Sequence, residues 1–366
     1  MKFSINREKL LRPLQQVAGV VERRQTLPVL SNLLLQARDG ELALTGTDLE
    51  VELIARLEVT VADPGEITVP ARKLVDICRE IPEQADIEFM IQEGRLEIRS
   101  GRFRSTLSTL PAVDFPSVDQ STPELSVELD SKAFKKLLDR TAFAMAQQDV
   151  RYFLNGMLIE LGSGHVRSVA TDGHRLALSD LAVDTLDGAV KQVIVPRKGV
   201  IEIQRLLQEL DGNVSISLGS SHLCAVSPMF TLTTKLVDGK FPDYDRVIPR
   251  SGDKLVLADK LELRQALSRT AILSNEKFRG IRLALSSGQL QLSANNPEQE
   301  QAEETVSVDY QGESLEVGFN VSYLQDVLNA IENERVRITL HDANSSAVIE
   351  DPVLEDATYV VMPMKL

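Results

Sequence analysis

Leu44-Thr-Gly-Thr-Asp48, Val169-Ala-Thr-Asp172 and Ser293-Ala-Asn-Asn296 are versions of one short phrase, and their closing residues stand 124 and 124 residues apart. Two further landmarks keep almost the same step. Val69-Pro70, Val195-Pro196 and Phe319-Asn320 lie 126 and 124 residues apart, and Leu110-Pro111, Leu236-Val237 and Met362-Pro363 lie 126 and 126 apart. A period near 125 in a chain of 366 residues leaves room for three copies of one domain and little else. Length alone points the same way, at roughly 150 residues per domain. The boundaries expected are 1–120, 125–248 and 254–366, joined by the polar, turn-rich linkers Ser117–Glu124 and Pro249–Lys254.

Each copy halves again. Apolar residues spaced by three and four place helix starts near Arg7, Ala71, Lys132, Arg197, Asp259 and Val321, at steps of 61 to 65 residues. Leu10, Leu14, Val17 and Val21 form such a stripe, as do Phe134, Leu137, Leu138 and Thr141, and Leu324, Val327, Leu328 and Ile331. Asn6, Ser131 and Asn320 suit helix caps, and Pro70 and Pro196 suit a first helical position. Pro13 is expected to kink the first helix or push its start later. Between helices the period is two: Leu49, Val51, Leu53, Ala55 and Leu57 point one way, and Glu50, Glu52, Arg56 and Glu58 the other. Asp39-Gly40, Glu93-Gly94 and Ser287-Gly288 read as hairpin turns between such runs. The fold class is therefore α+β, with each half made of a strand, a helix and about three antiparallel strands.

Composition is ordinary for a globular chain, 43% hydrophobic and 26% charged. No apolar run approaches the roughly 18 residues a membrane span requires. The opening Met-Lys-Phe-Ser-Ile-Asn-Arg-Glu lacks the apolar core of a signal peptide, so the expected compartment is the cytoplasm. Cys78 and Cys224 sit in apolar contexts and read as small core residues, too few for a disulfide framework or a metal cluster.

The net charge of −14 argues against a nucleic-acid binder until its distribution is counted. The six helix windows 7–20, 71–81, 131–145, 197–210, 259–273 and 320–331 carry +7 between them, so the rest of the chain carries −21. Lys and Arg do favour exposed helix faces, but Glu favours helices equally and is scarce in these windows. If all six helices face one way, a basic inner surface that includes Arg197, Lys198 and Arg205 meets a phosphate backbone without reading bases. The acidic remainder discourages binding elsewhere.

Catalytic chemistry finds little support. Thr171-Asp-Gly-His-Arg175 puts an Asp two residues from a His, yet the copies at Asp48 and Asn296 have no equivalent His. His165, His222 and His341 show no ligand spacing with it. A turn between strands, with His174 serving packing or peptide binding, accounts for the motif. No Walker-type loop, Gly-x-Ser-x-Gly elbow or His-Glu-x-x-His occurs. The expectation is no enzyme, no cofactor and no metal. Two rival readings stand beside DNA binding: a nuclease or hydrolase centred on Asp172 and His174, and an interaction scaffold that never touches DNA.

Five stretches carry a resemblance: 44–50, 169–176, Lys-Leu-Val-Asp-Gly-Lys-Phe-Pro-Asp-Tyr at 235–244, Ala-Asn-Asn-Pro-Glu-Gln-Glu at 294–300, and Tyr-Val-Val-Met-Pro-Met-Lys-Leu at 359–366. From Met1 to Leu366 the chain resembles the bacterial sliding clamps, the beta subunits of DNA polymerase III. The resemblance implies three clamp domains per subunit. A head-to-tail homodimer then closes a ring with helices lining the hole and antiparallel sheets outside, each subunit forming half. Such rings encircle duplex DNA without sequence preference and slide. They tether the replicative polymerase for processive synthesis and are loaded by a separate ATP-dependent clamp loader. Translesion polymerases and repair proteins dock through short peptide motifs.

The resemblance also implies sites. Arg24, Arg72, Gln148, Tyr152 and Phe153 match DNA-contacting positions, with Phe153 standing where the family has a tyrosine. Ile272 and Leu273 match an apolar dimer seam facing the partner's strand at Arg104–Leu107, in which Ser105 replaces an aromatic residue. Arg102 and Arg104 are placed to pair across that seam with Glu298, Glu300, Glu303 and Glu304. The partner-peptide pocket is matched by Leu154, Thr171, Gly173, His174, Arg175, Leu176, Pro242, Arg246, Val247, Asn320, Tyr323, Ser346, Val360, Met362, Pro363, Met364 and Leu366, with Asn344 and Lys365 departing from the family's residues. Pro363 cannot donate to a central ladder, so Met364 and Leu366 are expected to leave the sheet. Methionines suit a groove that accepts several ligands.

Overall fold

In the computed structural model, which describes residues 1–22, 27–118, 122–184, 186 and 189–365, six α-helices recur with the period read from the sequence. They are α1 (Arg7–Val20), α2 (Ala71–Glu80), α3 (Ser131–Ala142), α4 (Arg197–Leu207), α5 (Lys260–Thr270) and α6 (Val321–Ala330), each starting within one residue of its expected place. Asn6 and Asn320 cap α1 and α6 by accepting from Glu8 N at 3.1 Å and Ser322 N at 2.9 Å. Ser131 is instead the first residue of α3, and its hydroxyl donates to Leu210 O at 3.1 Å. The start of α1 is not delayed by Pro13, whose ring is buried on the helix's apolar face.

The strands are antiparallel throughout and form three sheets. The three repeats pack as two compact units, because strands of neighbouring repeats pair with one another. The first unit, Met1–Lys132 with Ile201–Leu236, holds a five-stranded and an eight-stranded sheet. In the larger one, Phe230–Lys235 of the middle repeat pairs with Val51–Glu58 of the first, Leu232 opposite Leu53. The second unit, Ala133–Val200 with Val237–Leu366, holds a twelve-stranded sheet in which Arg175–Ala182 pairs with Ala357–Val361, Leu176 opposite Val360.

Helices cover these sheets with their apolar stripes, that of α1 ending on Val20 rather than the expected Val21, which is the half-buried C-cap. Leu10, Leu14, Val17 and Val20 of α1 are buried against Glu41–Thr47 and Val51–Glu58, each contributing roughly 1.5–3 kcal/mol by leaving water. In the second unit, Leu263, Ala266 and Leu267 of α5 are buried, and the helix packs on α6 and on Gln289–Asn295 and Gln301–Asp309.

Two details of the alternating run at 49–58 differ from expectation. Leu49 is not in the strand: it sits in the preceding turn at φ +78°, outside the region Leu normally adopts. Glu52, placed by parity on the polar face, is buried where Val118 N reaches its carboxyl at 3.4 Å, while Arg56 and Glu58 further along that face stay exposed.

Candidate functional site

The second unit gathers most of the expected pocket residues around the turn after strand His165–Thr171. Thr171 Oγ1 donates to Arg175 O at 2.6 Å, and Asp172 Oδ1 accepts from His174 N and Arg175 N at 2.9 and 3.0 Å. Gly173 takes φ +88°, the left-handed backbone that the turn needs at that point. The first repeat builds the same turn: Thr47 Oγ1 donates to Val51 O at 2.9 Å, and Asp48 Oδ1 accepts from Glu50 N and Val51 N at 3.0 and 2.8 Å. Asp172 is thus occupied in holding backbone, as Asp48 is, and its spacing to His174 follows from turn geometry.

Arg175 is the hub of the site. Its guanidinium donates to Asp172 at 3.1 Å, to Asp326 at 2.5 Å and to Phe143 O at 2.7 Å, and lies 4.5 Å above the Tyr323 ring. Ion pairing, a carbonyl and ring stacking fix it in one orientation. The exposed His174 ring runs nearly parallel to Tyr323, at 6.5 Å between centroids and 19° between planes. Burial pushes the Tyr323 phenol above its ordinary range.

Beside this hub lies an apolar floor. Leu154, Leu158, Val169, Leu176, Leu178, Phe241, Tyr244 and Val360 form one buried cluster. Exposed residues Pro242, Arg246 and Val247 rise from the segment that follows Phe241, with Arg246 paired to Asp243 at 2.8 Å. The strand Ala357–Val361 ends as expected, and the tail leaves the sheet with its backbone still held: Met362 N donates to His174 O at 2.9 Å, and Met364 N to Gly318 O at 2.8 Å. Met362 is exposed, while Pro363, Met364, Ser346, Asn320 and Tyr323 are half-buried. Leu366 lies outside the described residues.

Sequence profiles of the DNA polymerase III beta subunit match this chain three times: the N-terminal domain over residues 1–119, the central domain over 128–243 and the C-terminal domain over 245–365. The chain belongs to the DNA polymerase III beta subunit family. It is 59% identical to the beta sliding clamp of Pseudomonas aeruginosa and 53% identical to that of Escherichia coli K12, over the full length of both chains. A crystal structure of the Pseudomonas aeruginosa DNA polymerase III subunit beta matches with a TM-score of 0.98 and 59% identity over all of each chain. A sliding clamp from the same organism bound to griselimycin matches equally, at 0.98 and 59%. The three domains, the antiparallel sheets and the six helices are therefore those of a sliding clamp.

On this clamp fold the positions matched to DNA contacts separate. Arg72 is exposed at the start of α2, and Gln148 (φ +55°) and Tyr152 are exposed on the loop before strand Gly156–Gly162. That loop is braced from within: Asn155 Oδ1 accepts from Asp149 N at 2.9 Å, and Arg151 donates to the Asp149 carboxylate at 2.8 and 3.0 Å, holding that carboxyl down at about 2. Phe153 does not share the exposure of Tyr152; it packs against the apolar cluster below the pocket. Arg205, expected on the basic surface, is committed elsewhere: it pairs with Glu202 at 2.7 Å, donates to Gln16 O at 2.5 Å and fills the space beside Gly19. Arg197 and Lys198 open α4 half-buried, and Arg197 reaches Met145 O at 3.3 Å. Arg24 lies outside the described residues.

The residues matched to the seam lie on two strand edges, on the loops that lead into those strands and on one turn. Ile272 is 76% exposed on the short turn after α5, and Leu273 is half-buried. Leu107 is buried within its own sheet rather than presented outward. Arg104 and Arg99 both pair with Glu97, and Glu304 is held by Arg269, which lowers the Glu304 carboxyl. Among the other acidic residues matched to the seam, Glu300 binds Asn296 at both backbone and side chain, Glu303 meets Gln291 at 3.5 Å, and Glu298 is exposed; Arg102, in the first unit, is exposed as well. Sequence reasoning missed Phe143, Asp326 and the polar residues below Tyr244. Arg167 and Asp180 were the detectable ones, as opposite charges facing each other across paired strands.

Proposed function

We propose that two copies of this chain close head to tail into a ring that encircles duplex DNA and slides without reading sequence. It is a non-catalytic accessory subunit that tethers the replicative polymerase and makes synthesis processive. The domains run 1–120, 125–248 and 254–366, and the compartment is the cytoplasm. No helix among the described residues is long and apolar enough to cross a membrane. A clamp loader, translesion polymerases and repair proteins share the pocket around His174, Val360 and Met362 through short, partly apolar peptides. Arg72, Gln148 and Tyr152 face the phosphate backbone.

The observation that carries the ring is a pair of open strand edges. Phe103–Ser108 ends the five-stranded sheet, and Gln301–Ser307 pairs on one side only among the described residues. The first edge carries Arg104, with Arg102 in the turn just before it, the second carries Glu303 and Glu304, and Ile272 stands exposed on the turn beside the second. Unpaired edges invite another strand, and opposite charges choose which one.

Topology supplies the test. A protein held by six to ten phosphate contacts loses on the order of a thousandfold in affinity between roughly 50 and 200 mM salt. A closed ring is held by linkage, so moderate salt leaves it on a circle, and cutting the circle releases it. Equal departure from circular and linear DNA would refute the ring.

A further inference from the structure

The wall of the pocket contributed by Pro242, Arg246 and Val247 has no regular secondary structure beyond one 3-10 turn, Tyr244–Arg246. Something must hold so short an irregular segment in register with the floor. Tyr244 points inward, opposite to its exposed neighbours, and is 7% exposed. Its hydroxyl donates to Glu160 Oε2 at 2.7 Å and accepts from Arg167 Nη1 at 3.1 Å. Arg167 in turn grips Asp180 with both arms, at 2.7 and 3.0 Å. Glu160, buried on strand Gly156–Gly162, is also bound by Gln192. Burial pushes the phenol up to about 12, so at neutral pH it keeps the proton it donates.

The chain contains its own comparison. One period earlier, Phe115-Pro116 stands where Phe241-Pro242 stands, and Phe115 packs on Val29 and Leu30, the counterparts of Phe153 and Leu154. There the network is missing: Val118 replaces Tyr244, Gln36 replaces Glu160, Ala43 replaces Arg167 and Arg56 replaces Asp180. Leu176 of the floor is likewise replaced, by Glu52. The hydroxyl network and the apolar Leu176 occur together at one repeat position and are replaced together at the other, where Phe115 keeps only its small apolar cluster.

We infer that Tyr244, with Glu160, Arg167 and Asp180 behind it, is a positioning residue for the peptide pocket. It sets the placement of Pro242, Arg246 and Val247 over the floor and through them the affinity for ligand. The inference rests on the pocket reading given above. A ring anchored at one end by apolar packing and at the other by two hydrogen bonds cannot swing, and a wall preorganised in this way loses less entropy on binding.

Griselimycin, which a 59%-identical clamp binds, serves as the probe on the full-length protein. Tyr244→Phe keeps the ring and removes both hydroxyl contacts. It is expected to weaken binding about tenfold, which corresponds to about 1.4 kcal/mol, and to speed amide exchange across 242–247. Tyr310→Phe is the matched control: Tyr310 is equally buried and its hydroxyl donates to Glu313 O at 2.7 Å, so it loses a comparable bond without touching the wall. Binding by that variant should stay within about twofold of wild type. Asp180→Asn, which loosens Arg167 from its far end, should act in the direction of Tyr244→Phe by about threefold, and carries the test should Tyr244→Phe fold poorly. Affinity unchanged in Tyr244→Phe, or equally reduced in Tyr310→Phe, overturns the inference. Deleting Met362–Leu366 separates the two readings. If the deletion leaves griselimycin binding intact, the pocket reading falls and takes this inference with it. If it abolishes binding while Tyr244→Phe does not matter, only the inference falls.

Discussion

If the chain closes into the proposed ring, replacing Ile272 and Leu273 by Ala should convert that dimer into a folded monomer. Ile272 is 76% exposed in the single chain, so its contribution to the chain's own stability is small, and most of its apolar surface is available to a second copy. Fully burying such a side chain yields roughly 1.5–3 kcal/mol, so the exposed share is worth about 1–2 kcal/mol and the half-buried Leu273 about 1 kcal/mol more. A ring has two equivalent seams, and both substitutions act at each. The dimer then loses about 4–6 kcal/mol, a rise in dissociation constant of about a thousandfold to ten-thousandfold. Sedimentation velocity from nanomolar to micromolar protein reads this directly, with far-ultraviolet circular dichroism checking that the chain remains folded. The rim charges are not expected to rescue it, because Arg104 and Glu304 already have partners within their own chain and exposed pairs add only about 0–1 kcal/mol. A double variant whose dimer constant stays within about tenfold of wild type removes both residues from the seam.

Two further outcomes follow from buried polar groups and from the tail. Burial pushes the Glu52 carboxyl above its ordinary range, against a weak opposing contact from Val118 N at 3.4 Å. A carboxyl raised in the folded state favours folding below its unfolded pKa, and that advantage is lost as pH rises through the raised folded value. Glu52→Gln should therefore stabilise the protein by about 1 kcal/mol at pH 8 and change little at pH 4, measured as thermal midpoints; an equal shift at both values contradicts the assignment. Deleting Met362–Leu366 removes the backbone bonds from Met362 to His174 and from Met364 to Gly318, and should reduce ligand affinity by about a hundredfold or more while the dimer mass is unchanged.

The period, the helix starts and the strand alternation were legible because each depends on residues near in sequence. Asp48 and Asp172 recur because their carboxylates close the same turn on two backbone N–H groups, so a local need preserved the landmark. What depends on distant residues was hidden. Parity put Glu52 on the polar face, but whether that face meets water is decided by what covers the sheet. Arg205 counted as one more positive charge, and nothing near it in sequence revealed that it would turn back to Gln16, 189 residues away. Phe153 was matched to a DNA-contacting position by family resemblance, and nothing near it in sequence showed that it packs on the apolar cluster while Tyr152 beside it stays exposed.

The same logic explains how one repeated backbone carries an apolar pocket in one place. At the second turn the cross-strand pair beneath the site is Leu176 opposite Val360; at the first it is Glu52 opposite Thr233. Gly173 adopts φ +88° without strain, whereas Leu49 at the equivalent position holds φ +78° and has an exposed side chain. An apolar peptide laid on the first turn would strip the Glu52 carboxylate of its remaining hydration and gain no hydrogen bond in return, a cost of at least about 1–3 kcal/mol. Laid on the second, it covers no buried carboxylate, because Leu176 and Val360 beneath that turn are apolar and already buried. Backbone symmetry is kept while two strand positions and one turn residue change character. A repeat of this kind can therefore acquire a specific docking site without altering the sheets that hold its domains together.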